Sequence, residues 1–194
     1  MKEISFATGN LGKLEEMKPP FEKKGFELKQ VDVDVPEIDA MDVEEVAKQK
    51  VLDSYHEARN KGLIDESEKM IVEDTGFFVE SLGGFPGAEA AFFSRTAGID
   101  YLLPMMKSED DRSAYFKTAI AIYLPEEDKV ETFTGKMKGK VPEEKKGESH
   151  PHLPYNSYFI PEHGDGKSLA ENQDLKNEEM HRRKAVNSFL DWLA

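Results

Sequence analysis

Two short segments of this chain combine flexible backbone with charge in a way that suits phosphate chemistry. The first is ATGNLGKLEE at residues 7–16, which follows a short apolar run. Glycines after a strand let backbone N–H groups approach a phosphate, and the positive end of a following helix attracts it. Gly9, Gly12 and Lys13 are too closely spaced for a Walker A loop. Alone, the segment favours a turn in which Asn10 caps a helix and Lys13 is solvated.

The second segment is VEDTGFFVESLGGFPG at residues 72–87, in which an apolar run ends in Glu73 and Asp74. Successive side chains of a strand point to opposite faces, so one carboxylate can face a cleft while the other is held behind it. Such a carboxylate can hold Mg²⁺ or act as general base on a water. Alone, the pair favours a polar strand end before a glycine-rich loop.

Further charged residues lie in a loop and on two predicted helices. Glu37 follows a proline in a loop, and Lys50 lies on the next helix. They suit a metal ligand and a phosphate contact. Near the C-terminus, KNEEMHRRKA contains Lys176, His181 and Arg182, whose donors suit carbonyl oxygens or phosphate. Each of the five is, individually, more typical of a solvated surface.

The predicted strands and helices alternate along the chain. Two-residue periodicity and β-branched or aromatic residues predict strands at residues 3–7, 27–33, 69–72, 115–124, 130–141 and 158–160. Helices are predicted from Leu14 to a break near Pro19 and Pro20, over 43–61 after an Asp42 capping box with Glu45, and near the C-terminus. The turn at 125–128 makes a hairpin, which favours a mixed sheet. The expected fold is α/β or α+β, with helices covering the sheet.

Size and composition narrow the class of protein. A chain of 194 residues with 38% hydrophobic residues predicts one globular domain with a substantial core. Its net charge of −13 argues against a nucleic-acid partner. The sequence predicts no membrane span and no signal peptide, and the absence of cysteine agrees with a reducing compartment. We therefore expect a cytoplasmic protein.

Taken together and in order, these segments resemble the inosine triphosphate pyrophosphatase family, which acts on non-standard purine nucleoside triphosphates, in an archaeal-like form. The matching stretches are FATGNLGKLEE, PEID, VEDTGFFVESLGGFPG, FTGKMKGKV and KNEEMHRRKA. The resemblance implies one domain over residues 1–194. It also implies the fold: an α/β protein with a central mixed, twisted sheet, flanking helices and an elongated two-lobed shape with a substrate cleft between the lobes.

The resemblance also assigns roles to residues. The phosphate-binding residues would be Thr8, Gly9, Asn10, Gly12, Lys13 and Lys50. Mg²⁺ would be held by Glu37 and Asp74 with Glu73. The catalytic residues would be Asp74 as proton acceptor, with Glu73 and Lys50 in support. The residues that contact the substrate or its base would be Thr75, Tyr155, Asn156, Lys176, His181 and Arg182.

The implied reaction is hydrolysis of ITP, dITP or XTP to the monophosphate and pyrophosphate. Water attacks the α-phosphorus, while Mg²⁺ and the lysines offset charge on the leaving group. Donors aimed at O6 would reject ATP, because adenine carries an amino group there. The resemblance further implies a homodimer.

The chain departs from the family pattern around the presumed base pocket. Leu153-Pro154-Tyr155-Asn156-Ser157 stands where the family has an aromatic block with an aspartate at the position of Asn156. Met180 replaces a serine, and Ala88-Glu89-Ala90 stands where a tyrosine and serine are common. Base preference is therefore less predictable than chemistry. The alternatives are a Maf-type nucleotide pyrophosphatase, whose opening motif is absent, a nucleotide-binding protein that has lost turnover, and an acidic interaction protein.

Overall fold

A seven-stranded mixed sheet forms the centre of the computed structural model, which describes residues 2–148, 153–172 and 180–193. The strands are β1 (Lys2–Ala7), β2 (Phe26–Val31), β3 (Met70–Val79), β4 (Pro86–Gly87), β5 (Ser113–Leu124), β6 (Lys129–Lys140) and β7 (Ile160–Pro161). Their order is β2-β1-β3-β5-β6-β7, and β4 pairs with β3. β1 is parallel to β2 and β3, whereas every other pairing is antiparallel. The predicted mixed sheet and the β5–β6 hairpin are confirmed.

Five helices are present in the described ranges: α1 (Leu11–Lys23), α2 (Val43–Asn60), α3 (Ala90–Thr96), α4 (Leu102–Met105) and α5 (His181–Leu193). Short 3₁₀ turns cover Glu80–Leu82, Ile99–Tyr101 and Pro154–Tyr158. None of the helices in these ranges is both long and apolar enough to cross a bilayer. The C-terminal helix is confirmed, although its predicted first turn at Glu178 and Glu179 lies outside the described residues.

Helices cover both faces of the sheet. On one face α1 and α5 pack on Ile71 of β3, and on the other α2 packs on Val72. Adjacent strand residues point to opposite faces, so the two cores alternate along the same strand. A third core, which includes Phe77 and Phe116, lies on the far halves of β3, β5 and β6 with α3 and the turn at Pro154–Tyr158. These far halves extend past the end of β1 and form a second lobe, as the resemblance implied.

Helix α1 corrects one prediction. It begins at Leu11 and continues through Pro19 and Pro20 to Lys23, whereas a break at the prolines was expected. Each proline removes one helical hydrogen bond and leaves a carbonyl free four residues earlier. Those carbonyls belong to Glu15 and Glu16, which are exposed and can be satisfied by water. Pro20 itself is buried with the apolar face of α1, and this packing offsets the lost bond.

The start of α2 is close to its prediction. The helix spans Val43–Asn60, and Asp42 caps it by accepting a hydrogen bond from the Glu44 N–H at 2.9 Å. The expected capping box instead required that the Asp42 side chain accept from Glu45.

Strand β3 corrects a second prediction. Glu73 and Asp74 were placed at the end of a short strand, but β3 runs on to Val79. The reason is the long antiparallel ladder with β5, which pairs every residue of β3, so polar side chains are tolerated within the strand. The parallel partner β1 pairs only as far as Ile71. Glu73 and Asp74 therefore lie just beyond the end of β1, beside the loop that leads into α1.

Candidate active site

The loop between β1 and α1 is ordered by its own polar side chains. Thr8 Oγ1 accepts a hydrogen bond from the Asn10 N–H at 3.1 Å, and Asn10 Oδ1 accepts one from the Lys13 N–H at 3.2 Å. Asn10 thus caps α1, as predicted. A Cβ added to Gly12 would lie 3.2 Å from that cap oxygen, which leaves little room for a side chain. The first turn of α1 therefore presents its backbone and Lys13 to the end of β1.

Lys13 is not solvated, contrary to the simplest interpretation of its segment. Its Nζ lies 2.6 Å from Glu73 Oε2, and the side chain is only 25% exposed. Arg182 of α5 reaches the same carboxylate, with Nε 3.1 Å from Oε1. Burial alone would raise the pKa of Glu73, but Arg182 and Lys13 outweigh it and hold this pKa far below its usual range. Glu73 is therefore a buried anion that ties α1 and α5 to β3.

Asp74 has the opposite environment. Its Oδ2 is buried and has no hydrogen-bond partner among the described residues. Burial is the main cause that raises the pKa of Asp74 to about 6. The positive charges of Lys13 and Lys50 act against this rise, whereas the negative charges of Glu73 and Glu37 add to it. The alternation of β3 places this carboxylate on the α2 face, away from the side chain of Glu73. A carboxylate that titrates near neutrality suits a general base.

A cavity of about 570 Å³ opens between the β1–α1 loop, the segment after β2, and α2. The predicted residues that line it are Thr8, Gly9, Asn10, Lys13, Glu37, Lys50 and Glu73. Neither Gly12 nor Asp74 lines it. Asp74 lies close to the cavity, because the charges of the lining residues Lys13, Lys50 and Glu37 act on its carboxyl group. The structure therefore brings the two predicted segments and the Glu37–Lys50 pair to one place.

Glu37 and Lys50 are bonded directly to each other. Burial would raise the pKa of Glu37, but its hydrogen bond and charge interaction with Lys50, together with Lys13 and Arg95, lower it. Glu37 remains 51% exposed, so its carboxylate faces the open side of the cavity. Lys50 is therefore held at the cavity wall by a partner that a stronger anion can replace.

Three charged residues of the cavity were not predicted from the sequence: Arg95, Asp32 and Asp34. Arg95 comes from α3 in the second lobe, and nothing in the segment AFFSRT distinguishes it from a solvated surface arginine. Asp32 and Asp34 follow β2 directly, and the ends of parallel strands meet at one edge of a sheet, so β2 beside β1 was the available signal.

A buried hydrogen-bond chain leads from Glu73 to α5. Thr75 Oγ1 lies 2.5 Å from Glu73 Oε1 and 2.6 Å from Thr118 Oγ1, which lies 2.6 Å from His181 Nδ1. Thr75 and Thr118 are directly opposite each other on β3 and β5. The His181 ring stacks on Phe116 with centroids 4.9 Å apart. Burial and the adjacent Arg182 lower the pKa of His181 to about 3, so the ring is neutral.

The close approach of α5 to the sheet fixes this end of the site. A Cβ added to Gly135 of β6 would lie 2.0 Å from the His181 carbonyl oxygen. Only a glycine permits this contact, and the first turn of α5 thereby docks directly over the sheet. The predicted pair His181 and Arg182 is consequently held by packing, although Arg182 contacts Glu73 and Glu16 and so faces the carboxylate side of the site.

Those predicted base-binding residues that the structure describes do not line the cavity shared by most of the predicted phosphate-binding residues. Tyr155 is only 7% exposed, its ring lies 4.8 Å from that of Phe77, and its hydroxyl donates to the Ala90 carbonyl oxygen at 2.7 Å. Burial raises the pKa of Tyr155, so it stays protonated. Stacking of Tyr155 on a base therefore stays a prediction. Asn156 is half-buried in the same 3₁₀ turn, and Lys176 lies outside the described residues.

The residues at the cavity suit a hard cation only in part. No group of three His, Asp or Glu side chains within residues 2–148, 153–172 and 180–193 has the spacing of a preformed metal site. Glu73 is already bonded to two cations and one hydroxyl. The unpartnered Asp74 oxygen and the open Glu37 carboxylate do fit Mg²⁺, which keeps several waters and needs only one or two carboxylates.

The mixed sheet, the cavity whose lining combines three cationic side chains with four carboxylates, and the unpartnered Asp74 carboxylate beside it define an α/β protein suited to bind a small polyanion together with a cation. More specifically, the chain belongs to the Ham1 family, whose profile matches residues 4–192. Membership of this family favours the predicted purine nucleotide pyrophosphatase over the Maf-type alternative.

Relatives of known name match nearly the whole chain. A dITP/XTP pyrophosphatase of Methanopyrus kandleri is 35% identical over 98% of this chain and 95% of its own length. One from Pyrococcus horikoshii is 36% identical over 98% of this chain and 96% of its own length. Among solved structures, the Staphylococcus aureus Ham1 protein has a TM-score of 0.79 at 27% identity, and the match covers 99% of this chain and 98% of that one.

Proposed function

We propose that this protein is a nucleoside triphosphate pyrophosphatase that hydrolyses ITP, dITP and XTP to the nucleoside monophosphate and pyrophosphate. The family and the names of its full-length relatives support this activity. The single observation that carries the mechanism is the unpartnered, buried Asp74 oxygen beside a cavity lined by Lys13, Lys50 and Arg95.

The triphosphate binds in this cavity. Backbone N–H groups at the start of α1 and the hydroxyl of Thr8 contact phosphate oxygens, and Gly9 allows their close approach. Lys13 is paired with Glu73, and Lys50 is paired with Glu37. Each lysine would therefore interact with its carboxylate partner and with the substrate phosphates at the same time. Because the protein carries a net charge of −13 and four carboxylates also line the cavity, a polyanion site requires these few local cations together with a bound metal ion.

Asp74 and Glu37 are the residues that would hold Mg²⁺. When bound, the ion supplies positive charge that offsets the charge of the phosphates. Glu73 is better assigned as the anion that positions Lys13 and Arg182, because both of its oxygens already contact a cation. This assignment reduces the metal ligands expected from the sequence from three carboxylates to two.

Asp74 accepts the proton of the attacking water. The water oxygen bonds to the α-phosphorus, the α–β anhydride bond breaks, and pyrophosphate leaves with the electron pair. The pKa of about 6 means that Asp74 is largely a carboxylate near neutral pH while remaining basic enough to take a proton. Lys13, Lys50 and Arg95 offset the charge that develops on the leaving group.

The remaining roles rest on the resemblance to the family. The base binds near Tyr155, Asn156 and His181, with further contacts from Thr75, Lys176 and Arg182. In the described residues the Thr75 hydroxyl bonds to Glu73 and Thr118, so a substrate contact by Thr75 would use its backbone. The resemblance also supports a homodimer, and the absence of cysteine agrees with a cytoplasmic location.

Product analysis tests this proposal. The pure protein is incubated with Mg²⁺ and, separately, ITP, dITP, XTP, GTP, dATP or dTTP, and the phosphate products are separated. We expect pyrophosphate and the monophosphate from the first three substrates and much less from dATP. Orthophosphate with a nucleoside diphosphate would contradict the mechanism, and equal turnover of dATP would contradict the substrate class. A lack of turnover with all six would support the alternative of a binding protein without activity.

A further inference from the structure

The hydroxyl of Thr118 is buried between the two strands at the centre of the site, and no role follows for it from phosphate binding or from hydrolysis. Its oxygen lies 2.6 Å from Thr75 Oγ1 and 2.6 Å from His181 Nδ1. Thr118 is fully buried. A hydroxyl has one proton to donate, so Thr118 can be the donor in only one of these two contacts.

Glu73 sets the donor and acceptor of every bond in the hydrogen-bond chain that runs through Thr75 and Thr118 to His181. Both of its carboxylate oxygens lie against cations, Lys13 at 2.6 Å and Arg182 at 3.1 Å, so the group is ionised and only accepts hydrogen bonds. Thr75 must therefore donate its single proton to Glu73 at 2.5 Å. The alternative would place two oxygens 2.5 Å apart with no proton between them.

The remaining bonds follow in sequence. Because the proton of Thr75 is used on Glu73, its oxygen accepts the proton of Thr118. Because the proton of Thr118 is used on Thr75, its oxygen must accept from His181 Nδ1. His181 is buried, with 6% of the residue exposed, and its imidazole is neutral, so the ring carries one proton. That proton is on Nδ1, which leaves Nε2 with a lone pair.

We infer that Thr118 is a positioning residue that holds His181 in its Nδ1–H form, so that Nε2 accepts a hydrogen bond from the N1–H group of a 6-oxopurine base. This inference deepens the proposed function and rests on it. Hypoxanthine and xanthine carry a proton on N1, whereas N1 of adenine has only a lone pair. With an adenine base, the lone pair of N1 would face the lone pair of Nε2. Neither acceptor would then have a donor, which weakens the binding of adenine.

This hydrogen-bond chain thus links the ion pairs of Glu73 to the selection of the base by His181. Glu73 positions Lys13 on the phosphate side and, through two threonines, fixes the proton of His181 on the other. The same chain does not discriminate against guanine, which also carries a proton on N1. Any rejection of GTP therefore depends on other groups.

The test begins with the tautomer of His181 in the wild-type protein. Nitrogen NMR of the uniformly labelled protein near pH 7 distinguishes a protonated from an unprotonated ring nitrogen, and the spectrum of His181→Gln identifies the His181 signals. We expect a protonated Nδ1 and an unprotonated Nε2. A wild-type His181 with its proton on Nε2 would overturn the inference without any kinetic measurement.

Variants of Thr118 then connect the tautomer to base choice. Thr118→Val keeps the shape but removes the hydroxyl, and we expect a larger Nε2–H population and a roughly tenfold fall in the ratio of kcat/KM for dITP to that for dATP, the size of one hydrogen bond. Thr118→Ser should restore both. Thr134→Val, at an exposed position on β6, is the matched control and should change neither.

The outcomes separate this inference from the proposed function. If Thr118→Val changes the tautomer but not the ratio, His181 does not read N1 and the inference is wrong. Failure of the proposed function would instead appear as a wild-type protein that releases no pyrophosphate from any nucleotide. If Thr118→Val folds poorly, the wild-type spectrum and Thr118→Ser still decide the direction of the chain.

Discussion

Glu73 and Asp74 are neighbours on β3, yet their carboxylates lie on opposite faces of the sheet and their pKa values shift in opposite directions. Two cations hold Glu73 ionised, whereas burial and the charge of Glu73 raise the pKa of Asp74 to about 6. Paired titratable groups with divergent pKa values mark a division of roles. Glu73 positions cations, and Asp74 is available for proton transfer.

Asp74→Asn should remove most activity and at the same time stabilise the fold. The pKa of Asp74 is raised from an ordinary 3.8 to about 6, so folding favours the protonated form. This contribution is fully present below pH 3.8 and is lost as the pH rises through about 6. Without Mg²⁺, we expect the free energy of unfolding near pH 8 to rise by about 1–3 kcal/mol, measured by urea denaturation.

The control for this variant is Asp110→Asn, which changes an exposed carboxylate between α4 and β5. It should change neither activity nor stability by much. If Asp74→Asn retains near-native turnover, Asp74 is not the base. If it is less stable than the wild type near pH 8, its carboxylate makes favourable contacts that the structure does not show.

The pH dependence of kcat/KM should report Asp74 directly. We expect activity to fall as the pH drops through about 6, because protonated Asp74 cannot accept a proton from water. Bound Mg²⁺ favours the carboxylate form of a nearby group, so a higher Mg²⁺ concentration should move this limb to lower pH. Steady-state rates with dITP at several Mg²⁺ concentrations provide the measurement. A rate that stays constant from pH 7 to pH 5 at low Mg²⁺ is incompatible with this role.

Glu73→Gln should destabilise the protein strongly. Lys13 and Arg182 both contact this carboxylate, and loss of one partner of a buried ionic group typically costs about 3–5 kcal/mol. Since the pKa of Glu73 is lowered by folding, its contribution is fully present above an ordinary pKa of 4.5 and is lost gradually as the pH falls from there toward the much lower pKa of the folded state. Urea denaturation should therefore show a larger difference between variant and wild type near pH 7 than near pH 3, where part of the contribution remains.

Glu57→Gln is the matched control for that variant. Glu57 pairs with Lys61 at 2.9 Å on the surface of α2, and such pairs contribute about 1 kcal/mol or less. Equal losses of stability from the two glutamine variants would show that the Glu73 cluster is not the ionic centre of the fold.

Lys50→Gln and Arg95→Gln should weaken substrate binding more than folding. Both side chains line the cavity, from α2 and from α3 in the second lobe. We expect an increase of roughly ten- to hundredfold in KM for each, because a hydrogen bond to a charged group contributes about 1.5–3 kcal/mol. Lys145→Gln, whose residue is exposed and pairs with Glu148, serves as control. If Arg95→Gln has the KM of the wild type, the second lobe does not contact the triphosphate.

Much of the fold and part of the site could be predicted from the sequence. The hairpin, the mixed sheet and the cap of Asn10 depend on local patterns, so they were accessible. The break of α1 at Pro19 was wrong because the packing of Pro20 and the exposure of the freed carbonyls are tertiary properties. The short strand before Glu73 was wrong because pairing with β5 is not visible in one segment.

Tertiary contacts also explain which parts of the site could not be predicted from the sequence. Lys13 has the sequence context of a solvated lysine, and only the arrangement of β3 beside α1 brings it to Glu73. Arg95 and Thr118 carry no local signal, because their partners are separated from them by tens of residues. The order of the weak motifs along the chain compensated for the weakness of each one, since the family match covers residues 4–192.

The central claim is that water attacks the α-phosphorus of a 6-oxopurine nucleoside triphosphate. Hydrolysis of dITP in isotopically labelled water, followed by mass spectrometry of both products, tests it most directly. We predict that the heavy oxygen appears in dIMP and that the pyrophosphate is unlabelled. Labelled pyrophosphate with unlabelled dIMP would show attack at the β-phosphorus and contradict the account.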